Sequence, residues 1–151
     1  MTGLKSILLA EDNVEDVELT LEALSEYNLA NDVVVARDGA EALDYLYQRG
    51  AFTMRTAGNP AVILLDIKMP KVDGLEVLRK IKADEKLKTI PVVMLTSSRE
   101  EPDLAESYKL GVNAYVVKPV NFQSFVKAVK QLSVFWTILN EPPPGSIRRA
   151  E

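Results

Sequence analysis

An α/β fold built on a parallel sheet follows from three observations on this 151-residue chain. Strand-like runs alternate with helix-period runs through about the first 130 residues, the pattern of βαβ units. Most of the strand-like runs are almost continuously apolar, as buried parallel strands are. Four of them end on a polar residue. Residues 6–10 run into Glu11-Asp12, residues 62–65 into Asp66, residues 92–95 into Thr96 and residues 114–117 into Lys118. Ligands of open α/β sheets bind beyond the carboxyl ends of the strands. Three acids, a hydroxyl and an amine are therefore predicted to meet at one rim.

The elements follow in order. After the first strand, Asn13 caps a helix over residues 14–27, with Val14, Val17, Leu21 and Leu24 as its apolar stripe and Asp16 in its first turn. A second strand fits residues 32–36. Asp38 and Glu41 have capping-box spacing, and Leu43 and Leu46 carry that helix to about Gln48. Residues 49–60 form a loop that is long for an α/β connection. The third strand ends at Asp66, and Asp73-Gly74 opens a helix bearing Leu75, Leu78 and Ile81. The fourth strand starts at Pro91. A short helix with Leu104 and Tyr108 stops at Gly111. The fifth strand ends at Lys118-Pro119, and Asn121 caps the last helix.

Composition narrows the chemistry. The length suits one domain with its own core, and the apolar and charged fractions are those of a soluble protein. No run of 18 apolar residues predicts a membrane span, and the N-terminus does not resemble a signal peptide, so a cytoplasmic location is expected. A net charge of -4 argues against general nucleic-acid binding. Cysteine and histidine are both absent. That excludes disulfides, thiolate zinc sites, a phosphohistidine and a Ser-His-Asp relay. Proton or phosphoryl chemistry is left to carboxylates, hydroxyls and lysine.

If Glu11, Asp12 and Asp66 converge, each pair at ~4 Å repels by roughly 4 kcal/mol at an effective dielectric near 20. Such a pocket protonates or binds a hard cation, and Mg²⁺ suits carboxylates, waters and a phosphate oxygen. Taken alone, Glu11 and Asp12 could simply favour a helix start. Asp66 has no such explanation, because it ends a strand and precedes a loop. A carboxylate beside a metal can act as a nucleophile and form an acyl phosphate. Catalysis is then mostly positioning and charge, with Lys118 as a point charge and Thr96 and the N–H groups after Asp66 as donors.

These residues resemble the receiver domain of two-component response regulators over about residues 5–132. The resemblance rests on Glu11-Asp12, Asp66, Met69-Pro70 with Asp73-Gly74, Thr96-Ser97 and Lys118-Pro119. It rests also on the separations of 30 residues from Asp66 to Thr96 and 22 from Thr96 to Lys118. It implies a flavodoxin-like five-stranded sheet of order 2-1-3-4-5. It implies that Asp66 accepts a phosphoryl group from a histidine kinase, with Mg²⁺ held by Asp12, Asp66 and the backbone carbonyl of Lys68, and Glu11 acting through a metal-bound water. It also implies a cis Lys118-Pro119 bond, and a switch in which Thr96 moves toward the phosphate and Tyr115 turns inward. Lys68 and Ser98 occupy positions that tune phosphate lifetime in the family. The 54 residues from Asp12 to Asp66 exceed the commonest receivers, the excess falling in the 49–60 loop. With the C-terminus, this is similar to single-domain regulators that partner phytochrome histidine kinases.

A receiver over residues 1–133 and an extension over 134–151 are expected. Phe122, Phe125, Val129, Leu132, Trp136 and Leu139 recur at helical spacing. Val134, Phe135 and Ile138 fall on the opposite side, and Phe135, Trp136 and Ile138 are expected to form a homodimer surface. Only twelve residues follow Leu139, so output is expected through protein contact rather than an attached DNA-binding domain. Competing readings fare less well. Haloacid-dehalogenase-type phosphatases place a second Asp where Lys68 stands, and a dinucleotide-binding fold lacks its glycine fingerprint here. Unphosphorylated adaptor domains typically lose an acid or the lysine, and this chain keeps both. A chemotaxis-type regulator remains the other alternative within the family.

Overall fold

The computed structural model describes residues 6–26, 33–56, 58–97 and 102–132. Five strands form one parallel sheet of order β2-β1-β3-β4-β5: β1 Ile7–Ala10, β2 Val33–Ala36, β3 Val62–Asp66, β4 Val92–Thr96 and β5 Ala114–Val117. Among the described residues, five α-helices follow the strands in turn: α1 Val14–Ser25, α2 Gly39–Leu46, α3 Gly74–Ala83, α4 Pro102–Lys109 and α5 Phe122–Val129. This is the flavodoxin-like architecture predicted from the sequence. No helix among the described residues is long and apolar enough to cross a membrane.

β1, β3 and β4 are buried at every position, which explains their continuous apolarity. Alternate residues feed two cores. Ile7, Leu9, Leu64, Val93, Leu95 and Val116 pack with α1 and α5 residues such as Val17, Leu24 and Phe125. Leu8, Ala10, Ile63, Leu65 and Met94 pack with residues of α2 to α4 such as Leu43, Leu78 and Leu104.

The predicted caps are all present. Asn13, Asp38, Asp73 and Asn121 each accept the N–H three residues on. The box at α2 closes differently, because Glu41 reaches the Arg37 N–H, one residue before the cap. Some boundaries also differ. β4 begins at Val92, not Pro91, whose missing N–H cannot join the ladder. α2 ends at Leu46, and Gln48 takes a positive φ of 54° that stops it. The 49–60 loop is not structureless, since Gly50–Phe52 forms a 3-10 turn. Tyr27, Asp32 and Ser98 lie outside the described residues, as do Val134, Phe135, Trp136, Ile138 and Leu139, where the expected dimer surface falls.

Candidate functional site: an acidic pocket around Lys118

The strand register builds the rim. Ala10 pairs with Leu65, so Glu11 and Asp66 emerge side by side. Asp66 pairs with Leu95 and Thr96 with Val117, which brings Thr96 and Lys118 onto the same edge. The Lys118-Pro119 bond is cis. A cavity of about 210 Å³ opens there, lined by Glu11, Asp12, Asp16, Asp66, Thr96 and Lys118, together with Lys68 and Ser97. All four strand endings therefore meet, as the sequence predicts.

Glu11, Asp66 and Thr96 are buried, while Asp12 is exposed at the mouth. Carboxylate oxygens of Glu11, Asp12 and Asp66 lie within 4.8 Å of one another. This hard-oxygen cluster, open on one side, fits a Mg²⁺-like cation that keeps several waters. Glu11 also accepts the Asn13 N–H at 3.1 Å, so one of its oxygens serves the helix entry and the other faces the pocket.

Lys118 Nζ is 3.3 Å from Glu11 Oε1, 3.3 Å from Asp66 Oδ1 and 3.2 Å from Asp16 Oδ2. Burial and the neighbouring Asp66 charge push the Glu11 carboxyl up to about 7. Burial also raises Asp66, against the opposing bonds from Glu11, Lys118 and the Lys68 N–H. Burial disfavours the Lys118 charge, but Asp66, Glu11 and Asp16 outweigh it and hold the ammonium above the ordinary lysine range. The predicted repulsion is thus offset in part by the Lys118 ammonium.

The loop after β3 is held from both sides. A Cβ on Gly74 would run into the Asp66 backbone oxygen, and one on Gly39 into the Val72 oxygen. The first residues of α3 and α2 therefore clamp this loop between them. Inside it, Val72 N–H donates to Pro70 O at 2.8 Å across Lys71, whose φ is 67°. This is a γ-turn, a strained form. Lys71 Nζ reaches the α2 cap Asp38 at 3.4 Å.

Sequence reasoning missed Asp16 as a pocket residue and read it only as a first-turn acid. No local signal pointed further, since Asp12 precedes the Asn13 cap and shares no helical face with Asp16. Tyr115 sits elsewhere. It packs with the α2–α4 core and meets Tyr108 edge-on, ring centroids 6.3 Å apart. Thr96 shares the strand parity of Met94 and so belongs to the same side as Tyr115.

The chain matches the response regulator receiver domain family over residues 7–130. It belongs to that family. Response regulator Rcp1 of Synechocystis sp. is 41% identical over 132 residues, covering 87% of this chain and 88% of that protein. The bacteriophytochrome response regulator AtBRR is 64% identical with a TM-score of 0.82, over 91% of this chain and 98% of that one. A phosphorylated cyanobacterial phytochrome response regulator, RcpA, is 45% identical with a TM-score of 0.72, over 88% of this chain and 94% of that one. The chain is thus a receiver-domain response regulator related to phytochrome response regulators, and its family is one of signalling domains phosphorylated by sensor histidine kinases.

Proposed function

We propose that this receiver takes a phosphoryl group on Asp66 from a histidine kinase, that the kinase is of the phytochrome photoreceptor type, and that Mg²⁺ is required. The observation that carries the reading is Asp66 itself. Its carboxylate is almost wholly buried at the floor of the cavity, 3.3 Å from Lys118 Nζ, and shares an oxygen cluster with Glu11 and Asp12. An Asp66 oxygen bonds to phosphorus as the bond from phosphorus to the kinase imidazole breaks, and the imidazole leaves with the electron pair. Lys118 offers the point charge for the incoming oxygens, and Thr96 the hydroxyl that reads their arrival. Asp12, Asp66 and the Lys68 carbonyl would hold Mg²⁺, with Glu11 behind a bound water. The ion supplies charge neutralisation when bound. Its presence in this reading is supported by the Mn²⁺-bound structure of Rcp1, and phosphorylation by the phosphorylated RcpA. The assignment is to a phosphoacceptor rather than an enzyme acting on an external substrate.

Thr96 and Tyr115 form the switch in this reading, signalling goes through protein contact in the cytoplasm, and residues 134–151 extend a receiver of residues 1–133. Phe135, Trp136 and Ile138 would make a homodimer contact. Light scattering on Phe135→Asp/Trp136→Asp is expected to show half the parental mass, and equal masses would rule the contact out.

Incubation with a small phosphodonor and Mg²⁺, read by intact mass, tests the central claim. One added phosphoryl group is expected, absent in Asp66→Asn and weakened without Mg²⁺. No adduct from any donor, histidine kinases included, would leave an adaptor in its place.

A further inference from the structure

Resting on that phosphoacceptor reading, we propose that Asp16 is a positioning residue for Lys118, holding the ammonium at the cavity mouth where a phosphoryl group on Asp66 emerges. A lysine ammonium has three donors, and here three carboxylates take them. The three are not equivalent. The side chains of Glu11 and Asp66 are 1% and 6% exposed, at the floor, whereas that of Asp16 is 26% exposed, toward solvent. Held by Glu11 and Asp66 alone, the ammonium would settle between the two deep acceptors. Asp16 draws it outward from the α1 side.

Asp16 is itself well anchored for this. Its N–H donates to Asn13 Oδ1 at 3.0 Å, and its carbonyl accepts from the hydroxyl of buried Thr20 at 2.8 Å. A phosphoryl group on Asp66 has room only toward the mouth, because the carboxylate is buried on its other sides. Its oxygens arrive where Asp16 already keeps Lys118. Lysine can follow them as a point charge with little demand on orientation. Exchanging the partly solvated Asp16 bond for a phosphate oxygen is easier than pulling Lys118 out of two buried ion pairs.

The test uses the full chain as parent, Asp16→Asn, Asp16→Glu and Glu15→Gln, the last an exposed first-turn acid outside the cavity. Each is incubated with acetyl phosphate and Mg²⁺, and adduct formation is followed by intact mass. In that reaction an Asp66 oxygen bonds to phosphorus as the bond to acetate breaks and acetate departs. Asp16→Asn is expected to slow uptake several-fold, Asp16→Glu to restore much of it, and Glu15→Gln to match the parent. A second readout is the ¹H–¹³C signal of the Lys118 ε-methylene in the unphosphorylated, Mg²⁺-free chain, assigned by its loss in Lys118→Arg. It is expected to move in Asp16→Asn and to stay near its parental position in Glu15→Gln. Uptake by Asp16→Asn at or above the parental rate overturns the role of Asp16 alone. So does equal slowing by Glu15→Gln, or an unmoved Lys118 signal. A parent that takes up no phosphoryl group overturns the phosphoacceptor reading and this role together.

Discussion

The two ends of the sheet treat charge in opposite ways. At the carboxyl end, Glu11 and Asp66 are buried within reach of each other and share one ammonium. At the amino end of β3, the 49–60 loop carries its charges to solvent and satisfies them locally. Arg55 stacks on Tyr45, 4.1 Å from the ring centroid, and donates to the carbonyls of Tyr45, Thr56 and Gly58. Arg49 pairs with Asp44 at 2.8 Å, both partly exposed. The Arg55 guanidinium at the amino end holds backbone in place, whereas the carboxylates at the carboxyl end crowd around one ammonium. Buried carboxylates whose mutual repulsion is only partly offset have free energy to exchange with a ligand, and charges already satisfied on the surface do not.

The largest break in this contrast should come from Lys118→Met. It leaves Glu11 and Asp66 facing each other without their cation, so a loss of about 3 kcal/mol is expected near pH 8. The loss should shrink toward pH 5 as the carboxyls protonate. Denaturant unfolding at both pH values checks it, and an equal loss at each would refute the account. Gly74→Ala forces α3 away from the Asp66 carbonyl and is expected to cost roughly 1–3 kcal/mol. Because the clash lies beneath Asp66, slower adduct formation should accompany lower stability.

The next effect is a pH dependence. Glu11, raised from its ordinary value to about 7, keeps a proton in the folded state that the unfolded chain releases at lower pH. Its contribution to stability is therefore full below about pH 4.5 and is lost as pH rises through 7. The parent should lose on the order of 1–3 kcal/mol relative to Glu11→Gln across that window. Unfolding of both proteins from pH 5 to 8 measures this, and saturating Mg²⁺ should flatten the parent's curve. The smallest effects belong to the other end. Arg55→Ala should cost about 1 kcal/mol through its lost stack and carbonyl bonds, and Arg49→Ala less than about 0.5 kcal/mol because its ion pair is exposed. Thermal unfolding ranks the two, and neither should alter phosphoryl uptake.

Much of the carboxyl end was legible in the sequence because its signals are local. A buried parallel strand announces itself by an unbroken apolar run, and the residue that ends the run is by construction at the rim. Helix caps are equally local, and Asn13, Asp38, Asp73 and Asn121 could each be named from a few neighbouring residues. Asp16 escaped because its local explanation was sufficient. A first-turn acid needs no partner, and its partner Lys118 lies 102 residues away. The Glu41 bond to Arg37 rather than Asp38 depends on backbone torsions that spacing does not specify.

Apolar periodicity alone determined the alternating α/β layers, and with them the meeting of Glu11, Asp12, Asp66, Thr96 and Lys118 at one rim, because a parallel sheet brings its carboxyl ends together. The pairing register of the folded sheet separates Glu11 and Asp66 from Thr96 and Tyr115. Only the tertiary structure decided which helices cover each side. With α1 packed on the side of Glu11 and Asp66, Asp16 joins the lysine, whereas α4 on the other side gives Tyr115 its Tyr108 neighbour. Pairings across 102 residues follow from helix placement, and placement is set by the packing of whole faces rather than by any short stretch of chain.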